Sequence, residues 1–356
     1  MSLFSSNKIF IGIDIGNAGI KLVELKKEKG TLRLLSYGFT ENVNSLVKKG
    51  GWTKDNASVD YAAQVINLLC KKINIIGKDV ITSLPNFSVF SSVIKLSNVK
   101  KKDIEAAVHW EAKKVIPLKL EEMVLDWKEI SKVEDGNQNK ENYINILLTG
   151  APKILVNKYI DIFKQTKVNL ISLETEIFSL IRSLLGNDKT PSMIVEIGAT
   201  TTNISAVVQG MPTINRSIDV GGLTITKAIC NDLGVDEEKA EQLKFDLGIA
   251  SMDPNDINNN NIPKTIINSI APIVNEIKYV LNLFENKNKT KIKKIILSGG
   301  SSLLGNLSDY LTKTFDINVV VGDPWARVSY PLDLEPILSV VGPRLSVAIG
   351  LAMRNE

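Results

Sequence analysis

The sequence predicts a duplicated two-lobe α/β fold that carries a small inserted α+β subdomain. At 356 residues the chain exceeds the usual size of a single hydrophobic core. Its hydrophobic pattern switches repeatedly between the period of a strand and that of a helix. A run of three strands at residues 8–39 also returns in similar form from residue 192. These observations favour two lobes of one duplicated fold over two unrelated domains.

Residues 1–85 are predicted to form the core of the first lobe. Its three opening strands are rich in Ile, Leu and Val and are separated by turns that contain glycine: "KIFIGIDIG", "GIKLVELKK" and "TLRLLSYGF". Residues 58–73 place their apolar side chains at helical spacing, and "DVITSLP" reads as a strand that follows this helix.

Residues 86–150 have a different pattern and are predicted to form an inserted subdomain, to which the family resemblance given below assigns partner binding. A strand at Val89–Leu96 leads into an amphipathic helix from about Lys102 to Val115, which Pro117 stops. Two strands follow, "MVLDWKEIS" and "YINILLTG", joined by the polar loop "VEDGNQNKEN". Residues 151–190 return to the first lobe and end in a connecting helix, "TEIFSLIRSLL".

Residues 191–335 are predicted to form the second lobe. The three-strand pattern returns as "SMIVEIG", "TNISAVVQG" and "MPTINRSIDV". Helices are predicted at about 221–233 and 236–247, and a long one from about Lys264 to Glu285 after the loop "DPNDINNNN". Residues 336–356 are predicted to return to the first lobe, with the last helix from about Arg344 to Met353.

Composition excludes several classes of function. The formal charge of +4 is small and its lysines are dispersed, so no nucleic-acid partner is expected. A single histidine and two distant cysteines argue against a serine triad, a zinc site or a disulfide framework. No uninterrupted apolar run approaches ~20 residues, so no membrane span is expected. The opening residues lack the apolar core of a signal peptide, which favours the cytoplasm.

The repeated hairpin carries the chemistry. Without gaps, "GIDIGNAGIKLVEL" (12–25) aligns with "IVEIGATTTNISAV" (194–207), so that Asp14 meets Glu196 and Lys21 meets Asn203. Small turn residues let backbone N–H groups approach an anion, and a lysine adds a point charge for phosphate. Acidic residues at both turns suit hydrated Mg²⁺. Either hairpin alone is more typical of an ordinary tight turn with its acid at the surface.

A third motif favours nucleotide binding. The strand-to-helix turn "LSGGSSLLGNL" (297–307) is rich in glycine and precedes a helix N-terminus, where phosphates are readily bound. The chain contains neither a P-loop nor a Rossmann GxGxxG pattern. The three motifs together predict a polyphosphate held between the two lobes.

These motifs, in this order, resemble the actin/Hsp70/hexokinase superfamily, whose fold is ribonuclease-H-like and duplicated. "GIDIGNAGIKLVEL" looks like its first phosphate hairpin, "VEIGATTTNISAV" its second and "IILSGGSSLLGNL" its adenosine turn. Within the superfamily, "HWEAKKVIPLKLEEMVLDWKEI" (109–130) is similar to the insert of the PilM family of type IV pilus assembly proteins. The cell-division protein FtsA shares this insert architecture, but its amphipathic membrane-targeting tail is not found in this sequence.

The resemblance implies a cytoplasmic scaffold that binds ATP or ADP with Mg²⁺ at the inner-membrane platform of a pilus. It implies a PilN-like single-pass membrane partner, whose cytoplasmic N-terminal segment binds between the first lobe and the insert, and contacts with other platform proteins. By matching motifs, nucleotide contacts fall on a set of turn residues: Gly16, Asn17, Ala18, Gly19, Lys21, Gly198, Ala199, Thr200, Thr201, Asn203, Gly221, Gly222, Glu241, Lys244, Gly299, Gly300 and Ser301. Asp14 and Glu196 are the candidate metal-binding and catalytic acids. Glu241 and Lys244 read equally well as an exposed ion pair on a helix.

One departure from the superfamily bears on activity. Glu196 stands where aspartate is usual, and an added methylene moves the carboxylate by about 1 Å, a misplacement that can cost ~10²-fold in a reaction. No residue can be assigned as the base that activates water. We therefore expect nucleotide binding with slow or absent hydrolysis. An FtsA-like or filament-forming ATPase and a sugar-kinase-like enzyme are the alternatives, and self-association stays open.

Overall fold

The computed structural model describes most of the chain, in six stretches: residues 8–40, 56–97, 99–116, 118–130, 143–249 and 261–354. The predicted loops at 133–142 and 253–260, and the helix stop at Pro117, lie outside these residues.

The first lobe is built on a six-stranded sheet. Its strands, in the order β14-β3-β2-β1-β4-β8, are β1 (Lys8–Gly16), β2 (Gly19–Glu28), β3 (Thr31–Phe39), β4 (Asp79–Leu84), β8 (Asn169–Thr175) and β14 (Val328–Ser329). The hairpin strands β1, β2 and β3 pair antiparallel, whereas β4 and β8 continue the sheet in parallel. Two helices, α1 (Asn56–Lys72) and α3 (Lys153–Lys164), supply apolar residues to the core on one face.

The second lobe repeats this arrangement. Its five strands, in the order β11-β10-β9-β12-β13, are β9 (Ser192–Ile197), β10 (Thr202–Val208), β11 (Met211–Ile218), β12 (Lys294–Ser298) and β13 (Asn318–Val321). Again the first three strands pair antiparallel and the last two join in parallel. The accompanying helices are α5 (Gly222–Leu233), α6 (Glu237–Leu247), α7 (Asn261–Asn288) and α8 (Leu307–Phe315). The predicted duplicated fold is confirmed.

The insert contains a three-stranded antiparallel sheet and one helix. The strands, in the order β5-β7-β6, are β5 (Phe90–Ser97), β6 (Met123–Ile130) and β7 (Tyr143–Pro152), and the helix is α2 (Ile104–Val115). One face of the helix packs on the sheet through Ile104, Val108 and Ala112. These residues are four positions apart, which is the spacing of the buried face of an amphipathic helix. The insert thus has its own small core.

Two helices connect the lobes. The first, α4 (Glu176–Leu180), continues into one π-helical turn at Ile181–Leu185, a departure from the regular helix expected here. The second, α9 (Glu335–Ala352), begins nine residues before the predicted start, because Pro343 lies inside the helix rather than at its beginning. Within this helix, the carbonyl of Pro343 accepts a hydrogen bond from the Gly299 backbone N–H at 2.9 Å, which ties α9 to the turn after β12.

Within the described residues, one stretch, Leu332–Ala352, is long and apolar enough by composition to cross a membrane. Of its apolar window, 56% is buried inside the fold, where α9 packs on β1, β2 and α4. The core helix of a folded protein passes the same test, so the stretch is weak evidence for a span. Cys70 is buried in the core of the first lobe, and burial raises the pKa of its thiol to about 11.

Candidate functional site

The two hairpins predicted from the repeat have the same register. In the first, Asp14 lies opposite Lys21 and Gly16 lies opposite Gly19, which leaves a two-residue turn. In the second, Glu196 lies opposite Asn203. Each acidic residue therefore has as its cross-strand neighbour the polar residue seven positions later, as the ungapped alignment of the sequence indicates.

The turns of the two hairpins meet across a cleft between the lobes. Asn17 Nδ2 donates a hydrogen bond of 2.8 Å to Thr200 Oγ1, which joins positions 183 residues apart. The cleft encloses about 760 Å³ of space open to solvent. It is lined by both turns and by one wall of the first lobe: Asp14, Ile15, Gly16, Asn17, Ala18, Lys21, Pro85, Phe87, Leu155, Tyr159, Glu176, Glu196, Gly198, Ala199, Thr200, Thr201 and Asn203.

The first hairpin presents one cation to the cleft. Lys21 Nζ lies 2.8 Å from Asp14 Oδ2, and only 7% of the Asp14 side chain is exposed. Burial alone would lower the pKa of Lys21, but its attraction to Asp14, with smaller contributions from Glu196 and Glu176, raises that pKa overall. Lys21 therefore stays charged, and a phosphate group can share it with Asp14.

The second hairpin presents a neutral amide. Asn203 Nδ2 donates to Glu196 Oε2 at 3.0 Å, and Asn203 Oδ1 accepts from the Ser217 hydroxyl at 2.6 Å. Burial, together with the nearby Asp14, raises the pKa of Glu196, although the Asn203 hydrogen bond opposes this. The site is thus asymmetric, with an ion pair on one side of the cleft and an amide–carboxyl pair on the other.

The sequence interpretation missed a third acid in this cleft, Glu176. It opens α4, and its Oε2 accepts from the Asn86 backbone N–H at 3.0 Å and from Asn203 Nδ2 at 3.4 Å. Burial raises the pKa of Glu176 well above its ordinary value, and Glu196 and Asp14 raise it further. Nothing local distinguishes this residue in "SLETEIF"; only the fold brings it opposite the second hairpin.

The remaining residues predicted to contact nucleotide in the second lobe are contiguous with its hairpin. The Gly222 and Leu223 backbone N–H groups donate to the carbonyls of Gly198 and Ala199 at 2.9 and 2.8 Å. A Cβ built on Gly221 would lie 2.6 Å from the Ala199 carbonyl oxygen, a backbone atom, so this approach needs glycine.

The turn after β12 also requires a glycine. Gly299 has φ of +82°, which is unfavourable for other residues, and a Cβ there would lie 2.4 Å from the Ile197 carbonyl oxygen. Its neighbour Gly300 follows at the start of a short 3₁₀ turn, Gly300–Leu303.

Lys244 is not the exposed helix residue that one interpretation of the sequence allowed. Only 2% of its side chain is exposed, while that of Glu241 is 45% exposed. Lys244 Nζ lies 2.6 Å from Glu241 Oε2, 3.1 Å from Thr226 Oγ1 and 3.4 Å from the Gly222 carbonyl. Burial lowers the pKa of Lys244, although Glu241 opposes the shift. Its ammonium group therefore faces the glycine pair that adjoins the second hairpin.

The acids of the cleft suit a hydrated divalent cation. Asp14, Glu176 and Glu196 supply hard oxygen ligands, and Lys21 is the cation among the residues that line this cleft. Among the described residues, however, no group of three or more His, Cys, Asp or Glu side chains is arranged to hold a metal directly. A divalent cation in this cleft would be held through its water ligands, with these carboxyl groups as the hydrogen-bond acceptors.

Replacing Glu176 with glutamine is expected to raise the melting temperature of the ligand-free protein at neutral pH. A buried acid whose folded pKa is raised binds more protons in the folded than in the unfolded state, so stability falls as pH rises above the unfolded pKa. Glutamine keeps an acceptor for Asn86 and Asn203 without this penalty. Thermal unfolding between pH 4 and 8 checks this: the gain should grow with pH, and a pH-independent difference would contradict it.

A second concave surface lies on the insert. It is a groove of about 1670 Å³, open to solvent, between α2, β6 and the start of α3. Its lining mixes apolar and charged side chains: Glu105, Val108, His109, Lys113, Leu118, Lys119, Leu120, Glu121, Met123, Leu125, Trp127 and Lys153. Trp127 and Leu118 are 37% and 52% exposed. Because Lys153 begins α3 of the first lobe, the groove lies where the insert meets that lobe.

Two sheets that share the order of five strands, the first with β14 added at its edge, present paired hairpins to each other across a cleft and define an actin-like fold. The family described as Type IV pilus assembly protein PilM matches residues 12–356, and the chain belongs to that family. The relationship predicted from the sequence is confirmed.

Similar structures and relatives agree with this assignment. One chain of a PilM-PilN type IV pilus biogenesis complex is 23% identical, with 97% of each chain covered and a TM-score of 0.80. MreB5 of Spiroplasma citri bound to AMPPNP shares the fold at 13% identity, covering 97% of this chain and 95% of that one, with a TM-score of 0.51. The cell division protein FtsA of Bacillus subtilis (strain 168) is 23% identical over 273 residues, 70% of this chain; the chain spans 60% of that relative's length.

Proposed function

We propose that this protein is a nucleotide-loaded, actin-like scaffold of a type IV pilus assembly platform. It binds ATP or ADP with Mg²⁺ in the inter-lobe cleft and the cytoplasmic N-terminal segment of a PilN-like membrane protein in the groove of the insert. The partner keeps the protein at the cytoplasmic face of the inner membrane, near other platform proteins. The family match does not favour the alternative that this protein is an FtsA-like cell-division or filament-forming ATPase.

The observation that carries the nucleotide proposal is the meeting of the two hairpins. Asn17 and Thr200 bring two turns of small residues within hydrogen-bond distance, and Lys21 lies at the base of one of them. Such turns offer backbone N–H groups to phosphate oxygens, and the lysine adds charge. The fold is shared with a protein solved with AMPPNP bound. This arrangement favours a polyphosphate lying between the turns.

The same geometry supports slow hydrolysis. A general base must be ionised near neutral pH, but both acids across the cleft from Lys21 have raised pKa values, and that of Glu176 is raised strongly. The side-chain amide of Asn203 also donates a hydrogen bond to each of these two acids. Bound nucleotide then fixes the relative orientation of the lobes and is turned over rarely.

We expect ATP or ADP to be released when the protein purified from cells is denatured, and phosphate release with Mg²⁺ to be slow. Chromatography of the released nucleotide and a steady-state phosphate assay check both. Turnover near 1 s⁻¹, within the ordinary range of enzymes, would contradict the scaffold assignment. Absence of nucleotide together with no measurable affinity would contradict the nucleotide site itself.

The groove supports a peptide partner because it combines an apolar floor with a charged rim. Val108, Met123 and Leu125 lie among its lining residues, and the basic side chains there outnumber the acidic ones. Apolar anchors in a pocket and polar groups around them are typical of peptide recognition. A PilM chain of this fold has been solved together with PilN.

Replacing Trp127 with alanine is expected to weaken binding of the PilN-like partner by about 30-fold, the effect of a tryptophan hot spot worth ~2 kcal/mol. Trp127 is 37% exposed and lines the groove, so its loss spares the core. Trp110 is 65% exposed on α2 of the same insert and is not among the residues lining the groove, which makes Trp110→Ala the matched control. Titration with the full-length partner in detergent measures both; equal effects would contradict the groove assignment.

A further inference from the structure

The chain enters the insert through a short turn that is hydrogen-bonded to the first connecting helix. The Asn86 backbone N–H donates to Glu176 Oε2 at 3.0 Å, and Asn86 Oδ1 accepts from the Ile177 backbone N–H at 3.2 Å. The asparagine thus satisfies a free N–H at the start of α4 from outside the helix, and the helix's first acid bonds back to the asparagine. We call this reciprocal pair the Asn86–Glu176 joint.

The joint touches three parts of the fold. On one side, the turn Asn86–Ser88 leads directly into β5, the first strand of the insert. On the other side, Glu176 accepts a hydrogen bond from Asn203 of the second hairpin at 3.4 Å. The same turn, and β5 after it, also pack against β11 of the second lobe. A change in the cleft therefore reaches the insert through direct contacts.

Polar atoms without partners surround the joint. Ser83 Oγ, Asn86 Nδ2 and Thr175 Oγ1 are buried and have no hydrogen-bond partner among the described residues. Thr175 directly precedes Glu176 at the end of β8 and Asn86 belongs to the joint, whereas Ser83, opposite Glu174 in the β4–β8 register, lies on the other face of the sheet from Thr175. A buried polar group without a partner lowers the stability of the folded protein. Asn86 Nδ2 and Thr175 Oγ1 can therefore gain hydrogen bonds if the joint rearranges, which would be impossible if all its polar atoms were already paired.

We propose that the Asn86–Glu176 joint couples the inter-lobe cleft to the insert, with Asn86 as the positioning residue, so that a magnesium nucleotide in the cleft stabilises strands β5 and β7. This rests on the proposed nucleotide site. The phosphates of that nucleotide compete for the Asn203 amide N–H, which Glu176 otherwise accepts, so that the Glu176 carboxyl group is left to the Asn86 backbone N–H and holds the entry to β5 in place. Because the ligand favours the arrangement in which Glu176 is bonded to Asn86 alone over the one in which it is also bonded to Asn203, it shifts the balance toward the former.

Hydrogen exchange measured by mass spectrometry on the full chain, with and without ADP and Mg²⁺, tests the coupling. In the wild type we expect slower exchange at both hairpins, 12–25 and 194–207, and at least about fivefold slower exchange in β5 and β7, the lower end of typical coupling between sites. In Asn86→Ala the hairpins should still be protected while the response of the insert is lost. Ser88→Ala, in the same turn, should behave as the wild type.

Glu176→Ala is the second variant, because it removes the acceptor that both the Asn86 backbone N–H and the Asn203 amide use. It should lose the response of the insert even if Asn86→Ala fails to fold. Protected hairpins with an unchanged insert in the wild type would overturn the coupling alone, as would an unaltered response in both variants. No protection anywhere would overturn the nucleotide site, and the coupling with it.

Discussion

Replacing Gly350 with alanine is expected to lower the free energy of unfolding by more than about 3 kcal/mol, the upper range of overpacking costs. A Cβ at this position would lie 1.9 Å from the Ser179 carbonyl oxygen and 2.5 Å from its carbon. These are backbone atoms of α4, so the helix as a whole would have to move. The two connecting helices therefore cross with their backbones in contact at Gly350.

The expected loss of stability is opposite in sign to the usual effect of replacing glycine with alanine in a helix. Inside a helix, alanine is ordinarily more favourable than glycine by about 0.5–1 kcal/mol, so a helix that tolerated the methyl group would gain stability. Gly305 provides the control: a Cβ there meets only Gly248 Cα, at an ordinary 3.7 Å. Chemical denaturation of both variants measures the difference. A Gly350→Ala protein as stable as Gly305→Ala would show that the helices do not cross at this point.

The opposite side of α9 is packed equally closely. A Cβ on Gly12 of β1 would lie 2.0 Å from the Ala348 carbonyl oxygen. Helix α9 is therefore confined on two sides: Ala348 contacts the first-lobe sheet, and Gly350, two residues later, contacts α4. Arg182 fixes the crossing further, because its Nε donates to the Gly350 carbonyl at 2.8 Å. The relative position of the lobes depends on this confined helix.

The fold could be predicted because its main features are local in sequence. Each hairpin is formed by residues within 20 positions of one another, and its short turn fixes the register, so aligning Asp14 with Glu196 also aligned Lys21 with Asn203. Gly299 and Gly300, in the turn after β12, likewise predict a close approach of two backbone segments. Periodicity identified the helices of both lobes for the same reason.

What the sequence did not reveal depends on contacts between distant segments. Glu176 reads as an ordinary helix-opening acid, and its partners Asn86 and Asn203 lie 90 and 27 residues away. The burial of Lys244 likewise follows from the approach of Gly222, not from its own helix. The last helix was predicted to start at about Arg344, yet α9 begins at Glu335 and continues through Pro343, whose own carbonyl accepts a hydrogen bond from the Gly299 backbone N–H. Residue contacts assigned to nucleotide remain predictions.

Replacing Lys21 with methionine is expected to weaken binding of ATP and ADP by about 100-fold or more. Removing one partner of a buried, hydrogen-bonded charge pair typically costs 2–5 kcal/mol, and each 1.4 kcal/mol is tenfold in affinity. Methionine keeps the length of the side chain but leaves Asp14, Glu176 and Glu196 facing the phosphates with no lysine among them. Isothermal titration with each nucleotide and Mg²⁺ measures the loss.

Lys26 offers a matched comparison on the same strand. Its Nζ lies 2.5 Å from Glu28 Oε1, but 36% of the Glu28 side chain is exposed, and surface pairs contribute only about 0–1 kcal/mol. Lys26→Met should therefore bind nucleotide as the wild type does, which separates a local effect from the loss of one positive charge. Adding Asn203→Ala to Lys21→Met removes the polar partner on both hairpins. If that double variant bound nucleotide with unchanged affinity, the phosphates could not lie between the two turns, and the cleft would have to serve another ligand.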